Sequence, residues 1–178
     1  MRTTEELIRR FKNGDRKAFA EIYERFKGRV YSLAYRLLLG AAEAEDVSQE
    51  AFTRAYRYIR SFDDHLSFEA WLSRIVYNLC LDLRRNFLRD QERIAGYLRE
   101  REPSKNNSEL SLGDEEALQN YLAQLDDEDR AIVTLYYLED HTYEEVSQIL
   151  QIPMGTVKSR LSRARDKLRE IARVKANK

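Results

Sequence analysis

Residues 142–169, TYEEVSQILQIPMGTVKSRLSRARDKLR, decide the fold, because they read as two helices joined by a tight turn. In the first segment Val146, Ile149 and Leu150 repeat at helical spacing, with Tyr143 one turn earlier. In the second, Val157, Leu161, Ala164, Leu168 and Ile171 form a longer apolar stripe. Pro153 cannot donate a backbone hydrogen bond inside a helix but suits a first turn, so the break falls at residues 151–153.

With Leu161 at the centre of the buried stripe, steps of about 100° per residue turn Thr156, Ser159, Ser162 and Arg163 to the opposite side. Lys158 and Arg160 fall on the flanks. Short polar groups and a guanidinium facing base edges, between cations that grip phosphates, are what a major-groove reader requires. From Pro153 onward nine Lys and Arg stand against two acidic residues, a local excess suited to a polyanion. A solvated basic face would account for the charge alone; turn, stripe and charge together point to a DNA-binding helix-turn-helix.

Outward from this pair the charge reverses. Residues 114–145 are strongly acidic and hold Arg130 as their single cation. Ala117, Leu118, Tyr121, Leu122 and Leu125 predict one short helix; Asp126 or Asp127 caps another that buries Ile132, Val133, Leu135, Tyr136 and Tyr137. Residues 102–113 mix Pro103, Asn, Ser and charge with few apolar groups and read as a flexible linker between two domains.

The N-terminal half is helical throughout. Leu7, Ile8 and Phe11 stop at Asn13-Gly14, and a long helix follows from Asp15 to Gly40 with Phe19, Ile22, Tyr23, Phe26, Val30, Leu33, Ala34 and Leu37 inside. Residues 42–59 repeat the pattern with Val47, Ala51, Ala55, Tyr58 and Ile59 inside. Their outer side is acidic first (Glu43, Glu45, Asp46, Gln49, Glu50) and basic later (Arg54, Arg57, Arg60). The helix dipole favours that polarity, but it gives no reason for Gln49 and Glu50 to precede Phe52. Residues 61–67, SFDDHLS, read as a loop, with Ser67 capping a helix from Phe68 to about Leu88. That helix buries Leu72, Ile75, Val76, Leu79 and Leu83. A second stripe, Trp71, Arg74, Asn78, Asp82 and Arg85, mixes an aromatic, an amide and cations as single-strand binders do.

Composition bounds the function. A chain of 178 residues with 43% hydrophobic and 35% charged side chains suits a soluble, mostly helical protein, and 6 Gly with 2 Pro leave little room for a many-turned β architecture. The formal net charge is zero, so nucleic-acid binding must come from segregated charge. Cys80 is the sole cysteine, which excludes an internal disulfide, argues against a thiolate zinc site and fits a reducing cytoplasm. No signal peptide or membrane span is expected, since no stretch approaches the ~20 apolar residues a span needs. His65 and His141 fall on predicted turns, read as surface positions, and no constellation suggests catalysis, a metal or a cofactor.

Taken together, AEDVSQEAFTRAYRYIRSF, SFEAWLSRIVYNLCLDLRR and LAQLDDEDRAIVTLYYLEDHTYEEVSQILQIPMGTVKSRLSRARDKLR resemble the second and fourth conserved regions of the extracytoplasmic-function group of bacterial sigma-70 factors. The resemblance implies an all-α protein of two small domains, residues 1–90 and 114–178, joined by a linker at 91–113. It implies a bacterial initiation factor, not an enzyme, that binds core RNA polymerase, directs it to minus-thirty-five and minus-ten promoter elements and assists strand opening. By the same resemblance, Asp46, Gln49, Glu50 and Phe52 dock on the coiled coil of the polymerase's largest subunit, and the C-terminal domain meets the flap. Ser61, Phe62, Asp63, Asp64, His65, Trp71, Asn78, Asp82 and Arg85 correspond to the parts that capture the minus-ten strand. Thr156, Lys158, Ser159, Arg160, Ser162, Arg163 and Arg165 correspond to the upstream reader, with Arg165 on the phosphate side. An anti-sigma partner is expected as well. The C-terminal half alone also fits a free-standing helix-turn-helix regulator, which would bind an operator unaided and as a dimer.

Overall fold

The computed structural model describes residues 2–63, 67–95 and 114–176. Among these the chain is helical without a strand, in the order α1 (Thr4–Lys12), α2 (Arg16–Leu38), α3 (Ala41–Tyr58), α4 (Phe68–Ala95), α5 (Asp114–Leu122), α6 (Asp127–Val133), α7 (Tyr143–Leu150) and α8 (Met154–Ala176). The expected linker lies almost wholly outside the described residues.

Local chemistry sets the boundaries. Thr3 and Glu6 form a reciprocal capping box at α1, and Thr142 and Glu145 form another at α7. Asp15 caps α2 through Lys17 N–H, and Asp126 caps α6 through Asp129 N–H. The helix-turn-helix break is as expected, with Gln151 in the left-handed region at φ 57° closing α7. At the end of α2 the left-handed residue is Leu39, φ 62°, while Gly40 is extended and opens α3. Helix α4 continues to Ala95 instead of stopping near Leu88, since residues 89–95 contain no Gly or Pro to break it.

Helices α1 to α4 form one bundle around Leu7, Ile22, Phe26, Leu33, Val47, Ala51, Ile59, Leu72 and Val76. Helices α5 to α8 form the other around Leu122, Ile132, Leu135, Val146, Ile149, Val157 and Leu161. The expected interior holds with three exceptions, Tyr58 at 57% exposed, Tyr23 and Tyr137, all of which stand on the surface. Between α6 and α7 the chain passes through a π turn, Thr134–Leu138, closed by Glu139 N–H donating to Thr134 O at 3.0 Å.

The two bundles meet along α4 with α7 and α2 with α6. Buried polar groups bridge them. Glu139, 3% exposed, receives Arg29 Nε at 2.7 Å on one carboxylate oxygen and an Arg36 guanidinium nitrogen at 3.2 Å on the other. Arg130, 5% exposed, donates to Leu122 O and Leu125 O within its own bundle and to Leu37 O across the interface at 3.2 Å. Arg84 pairs with Asp127, and the Ser67 hydroxyl donates to Glu145 at 2.5 Å.

Candidate nucleic-acid and polymerase interfaces

The residues expected to read the upstream element lie on α8. Val157, Leu161 and Ala164 are buried against α6 and α7, which turns Ser159, Ser162, Arg163 and Arg165 outward and leaves Thr156 half-buried. The flanks behave differently from their wheel positions. Arg160 forms ion pairs with Glu128 and Asp129 of α6, and burial with the neighbouring Asp126 carboxylate raises the Asp129 carboxyl against the pull of Arg160. Arg160 is therefore a strut between α8 and α6. Lys158 Nζ lies 5.4 Å from the centre of the Tyr143 ring, which stacks on Tyr136 at 4.6 Å.

On α3, Asp46 and Gln49 are exposed and Glu50 is half-buried, paired with Arg54 Nε at 2.9 Å one turn on. Phe52 departs from the expectation of a contact residue. It is 7% exposed and meets the Tyr23 ring edge-on at 4.7 Å, because it sits on the side of α3 that faces α2. Its part is to fix the helix that carries the acidic and amide groups.

The residues expected to capture the strand divide by exposure. Ser61, Asp63, Asn78, Asp82 and Arg85 are exposed and Trp71 is half-buried. Phe62 is 7% exposed, its ring 5.7 Å from Phe68 and 5.3 Å from Trp71. Lys12 Nζ donates to Phe62 O at 2.9 Å and fixes the same point. Asp64 and His65 lie outside the described residues. Asn78, Asp82 and Arg85 line a cleft of about 600 Å³ whose other wall is Ile132, Ile149, Leu150 and Ile152 of the C-terminal bundle. The α4 face that carries Asn78, Asp82 and Arg85 and the C-terminal bundle thus share one opening.

Sequence reasoning missed the buried polar bridge. His141 does sit on a turn, as expected, but it is 4% exposed, not at the surface. The one usable signal was Arg130, a lone cation in an acidic run, whose burial answers three backbone carbonyls. Cys80 is buried, its thiol pushed up to about 12 by desolvation, which makes it inert. Among the described residues no cluster of His, Cys, Asp and Glu could hold a metal, and no helix is long and apolar enough to cross a membrane.

Family comparison agrees with this arrangement. Residues 22–94 match the family described as Sigma-70 region 2 and residues 115–168 match Sigma-70, region 4. The ECF RNA polymerase sigma factor SigW of Bacillus subtilis is 37% identical over 175 residues, covering 92% of this chain and 93% of that protein. The ECF RNA polymerase sigma-E factor of Escherichia coli K12 is 34% identical over 178 residues, covering 92% and 91%. The sigma factor RpoE of Bartonella quintana, solved in complex with the anti-sigma factor NepR, superposes with a TM-score of 0.75 at 25% identity, covering 89% of this chain and 98% of that one. An acidic helix face, an aromatic and cationic α4 and a helix-turn-helix, in that order, define a transcription initiation factor of the sigma-70 type. Within that type, the chain belongs to the ECF RNA polymerase sigma factors.

Proposed function

We propose that residues 1–90, extended by α4 to Ala95, dock on core polymerase and hold the opened minus-ten strand. Residues 114–178 read the minus-thirty-five element as duplex and meet the polymerase flap, and 91–113 connect the two. The chain contributes binding energy and catalyses nothing itself. Asp46, Gln49 and Glu50 present the acidic and amide groups to the coiled coil of the largest subunit, with Phe52 behind them. Asn78, Asp82, Arg85 and Trp71, with the 61–67 loop, hold an unpaired strand, which lowers the net cost of opening the duplex. Ser162 and Arg163 address base edges, while Lys158 and Arg165 address phosphates. An anti-sigma factor of the kind bound to the Bartonella relative is the expected inhibitor, and the cytoplasm the expected site of action.

The observation that carries this reading is the union in one chain of the exposed Asp46, Gln49 and Glu50 face with a capped helix-turn-helix whose outer side offers Ser162 and Arg163. In vitro transcription with core polymerase over a randomised promoter library tests it. Initiation should depend on the chain and select two sequence elements. A chain that supports no initiation, yet settles on a palindromic operator alone, removes the reading.

A further inference from the structure

Helix α8 is longer than the bundle that supports it. Val157, Leu161 and Ala164 are buried and Leu168 packs on the same core, but Val174 is exposed, so the last turns project past α6 and α7. At 23 residues the helix is about 34 Å long, whereas the major groove is about 12 Å wide. A straight rod that reads bases with its first half therefore brings its second half against a backbone.

Charge is distributed unequally along that length. With Leu161 at the centre of the buried side and steps of about 100° per residue, Lys158, Ser162, Arg165, Arg169 and Arg173 all fall on one flank. They succeed one another at spacings that make helix neighbours, over about 22 Å. Arg160 and Lys167 fall on the other flank, where acids of α6 and its cap already answer them. Arg160 pairs with Glu128 and Asp129. The Asp126 carboxyl is held below its ordinary value first by the Asp129 N–H, and further by Lys167 and Arg160. On the first flank Arg165 and Arg173 are exposed. Arg169 meets Asp166 at 3.2 Å, but both side chains are more than half exposed, so water screens the pair. Lys158 has its head fixed over the Tyr143 ring, which holds the ammonium without cancelling its charge.

We propose that this ridge is a surface for the phosphates of one strand of duplex DNA, on which α8 keeps its grip past the element it reads, with Arg169 and Arg173 as the contacts beyond the reader. The other strand meets a flank whose cations are neutralised by α6, so the grip is one-sided. Phosphate contacts fix register without reading sequence, so the ridge sets how α8 lies along the duplex and leaves base choice to Ser162 and Arg163. The ridge is continuous with that reading side, which favours DNA over an acidic protein as the occupant. The inference deepens the proposed reading of the upstream element by α8 and rests on it.

The full chain assembled with core polymerase is titrated with promoter duplex at several salt concentrations. Replacing both outer arginines, Arg169→Ala with Arg173→Ala, should lower the slope of log affinity against log salt by about 1.8, the value for two duplex phosphates. Between 50 and 200 mM salt the variant should then lose about tenfold less affinity than the parent. The bases it selects from a randomised library should be the parental ones. Lys167→Ala, on the neutralised flank, should leave the slope unchanged. Neutral methylphosphonate linkages beside the upstream element should weaken parental binding about tenfold in one strand and stay within about twofold in the other. A parental slope in the double variant, an equal fall in slope for Lys167→Ala, or equal effects of the two strands each overturns the ridge while α8 still reads its element. Lower affinity for core polymerase at a parental slope would assign the ridge to a protein partner and overturn it too. No promoter binding by the parent assembly sinks the broader function, and the ridge with it.

Discussion

His141 Nε2 lies 2.9 Å from Ser73 Oγ, a hydrogen bond that joins the turn ahead of α7 to the middle of α4 and so spans the two bundles. Burial holds the imidazole below its ordinary value, and the nearby Arg29 pushes in the same direction, while Glu145 at 3.5 Å and Glu69 pull it up. A base whose folded value is depressed binds its proton more readily once unfolded or undocked. Its contribution to stability is present above the unfolded value of 6.5 and fades as the pH falls from there through the lower folded value. The melting temperature of the full chain should therefore decline on acidification from about pH 7 to 5.5, and His141→Gln should flatten that decline. Identical pH profiles for the two proteins would show that His141 is not the titrating group.

A second bridge predicts a larger effect. Burial pushes the Glu139 carboxyl up from its ordinary value, and the guanidiniums of Arg29 and Arg36 oppose that shift. Removing Arg36 leaves a buried carboxylate with one partner. Breaking a buried pair costs ~3–5 kcal/mol; because Arg29 stays and is 38% exposed, a loss of about 2 kcal/mol is expected for Arg36→Ala in urea unfolding. Replacing Glu139 by Gln as well removes the stranded charge and should recover part of that loss, which a double-mutant cycle measures.

Much of this architecture was legible from spacing and capping. The 3.6-residue stripes give the helices, and Pro153 fixes the turn before α8. Those signals act within about four residues of one another, and that is their limit. Glu139 is sequence-distant from Arg29 and Arg36, and Ser73 from His141, so nothing local distinguishes them from solvent-facing charge in a turn. Phe52 and Phe62, which the family resemblance placed among the contact residues, are buried through ring contacts with Tyr23 and with Phe68 and Trp71 that helical spacing does not register. Tyr58 fails in the opposite sense: its wheel angle is close to the apolar stripe, but α3 gives way there to a 3-10 turn at Ile59–Ser61 and the ring stays outside.

On α3 the proposed docking groups are separate from the ring that supports them. Phe52→Ala deletes a buried ring that contacts Tyr23 and should cost about 3–5 kcal/mol of stability. Glu50→Ala removes a half-exposed group and should leave the melting temperature within a few degrees while weakening capture by core polymerase. If Glu50→Ala retains parental affinity in a core-polymerase titration, the acidic face is not the docking surface.

On α8 the two arginines at positions 160 and 163 should part company. Arg163 is exposed and free to address a base edge, so Arg163→Ala should cost about 1–3 kcal/mol on the preferred upstream element and relax selection at one position. Arg160 is tied to Glu128 and Asp129, so its loss also releases two acidic groups toward the DNA. Arg160→Ala should weaken binding to all duplexes alike, preferred or not, through repulsion of the backbone by the uncovered carboxylates. Competition of labelled upstream-element duplex against mixed-sequence duplex, at two salt concentrations, distinguishes the two: a changed specificity ratio marks a reader, and an unchanged ratio with lower affinity marks a strut. Should Arg163→Ala leave that ratio untouched, the base contacts must come from elsewhere on α8, with Ser162 next along the same exposed side.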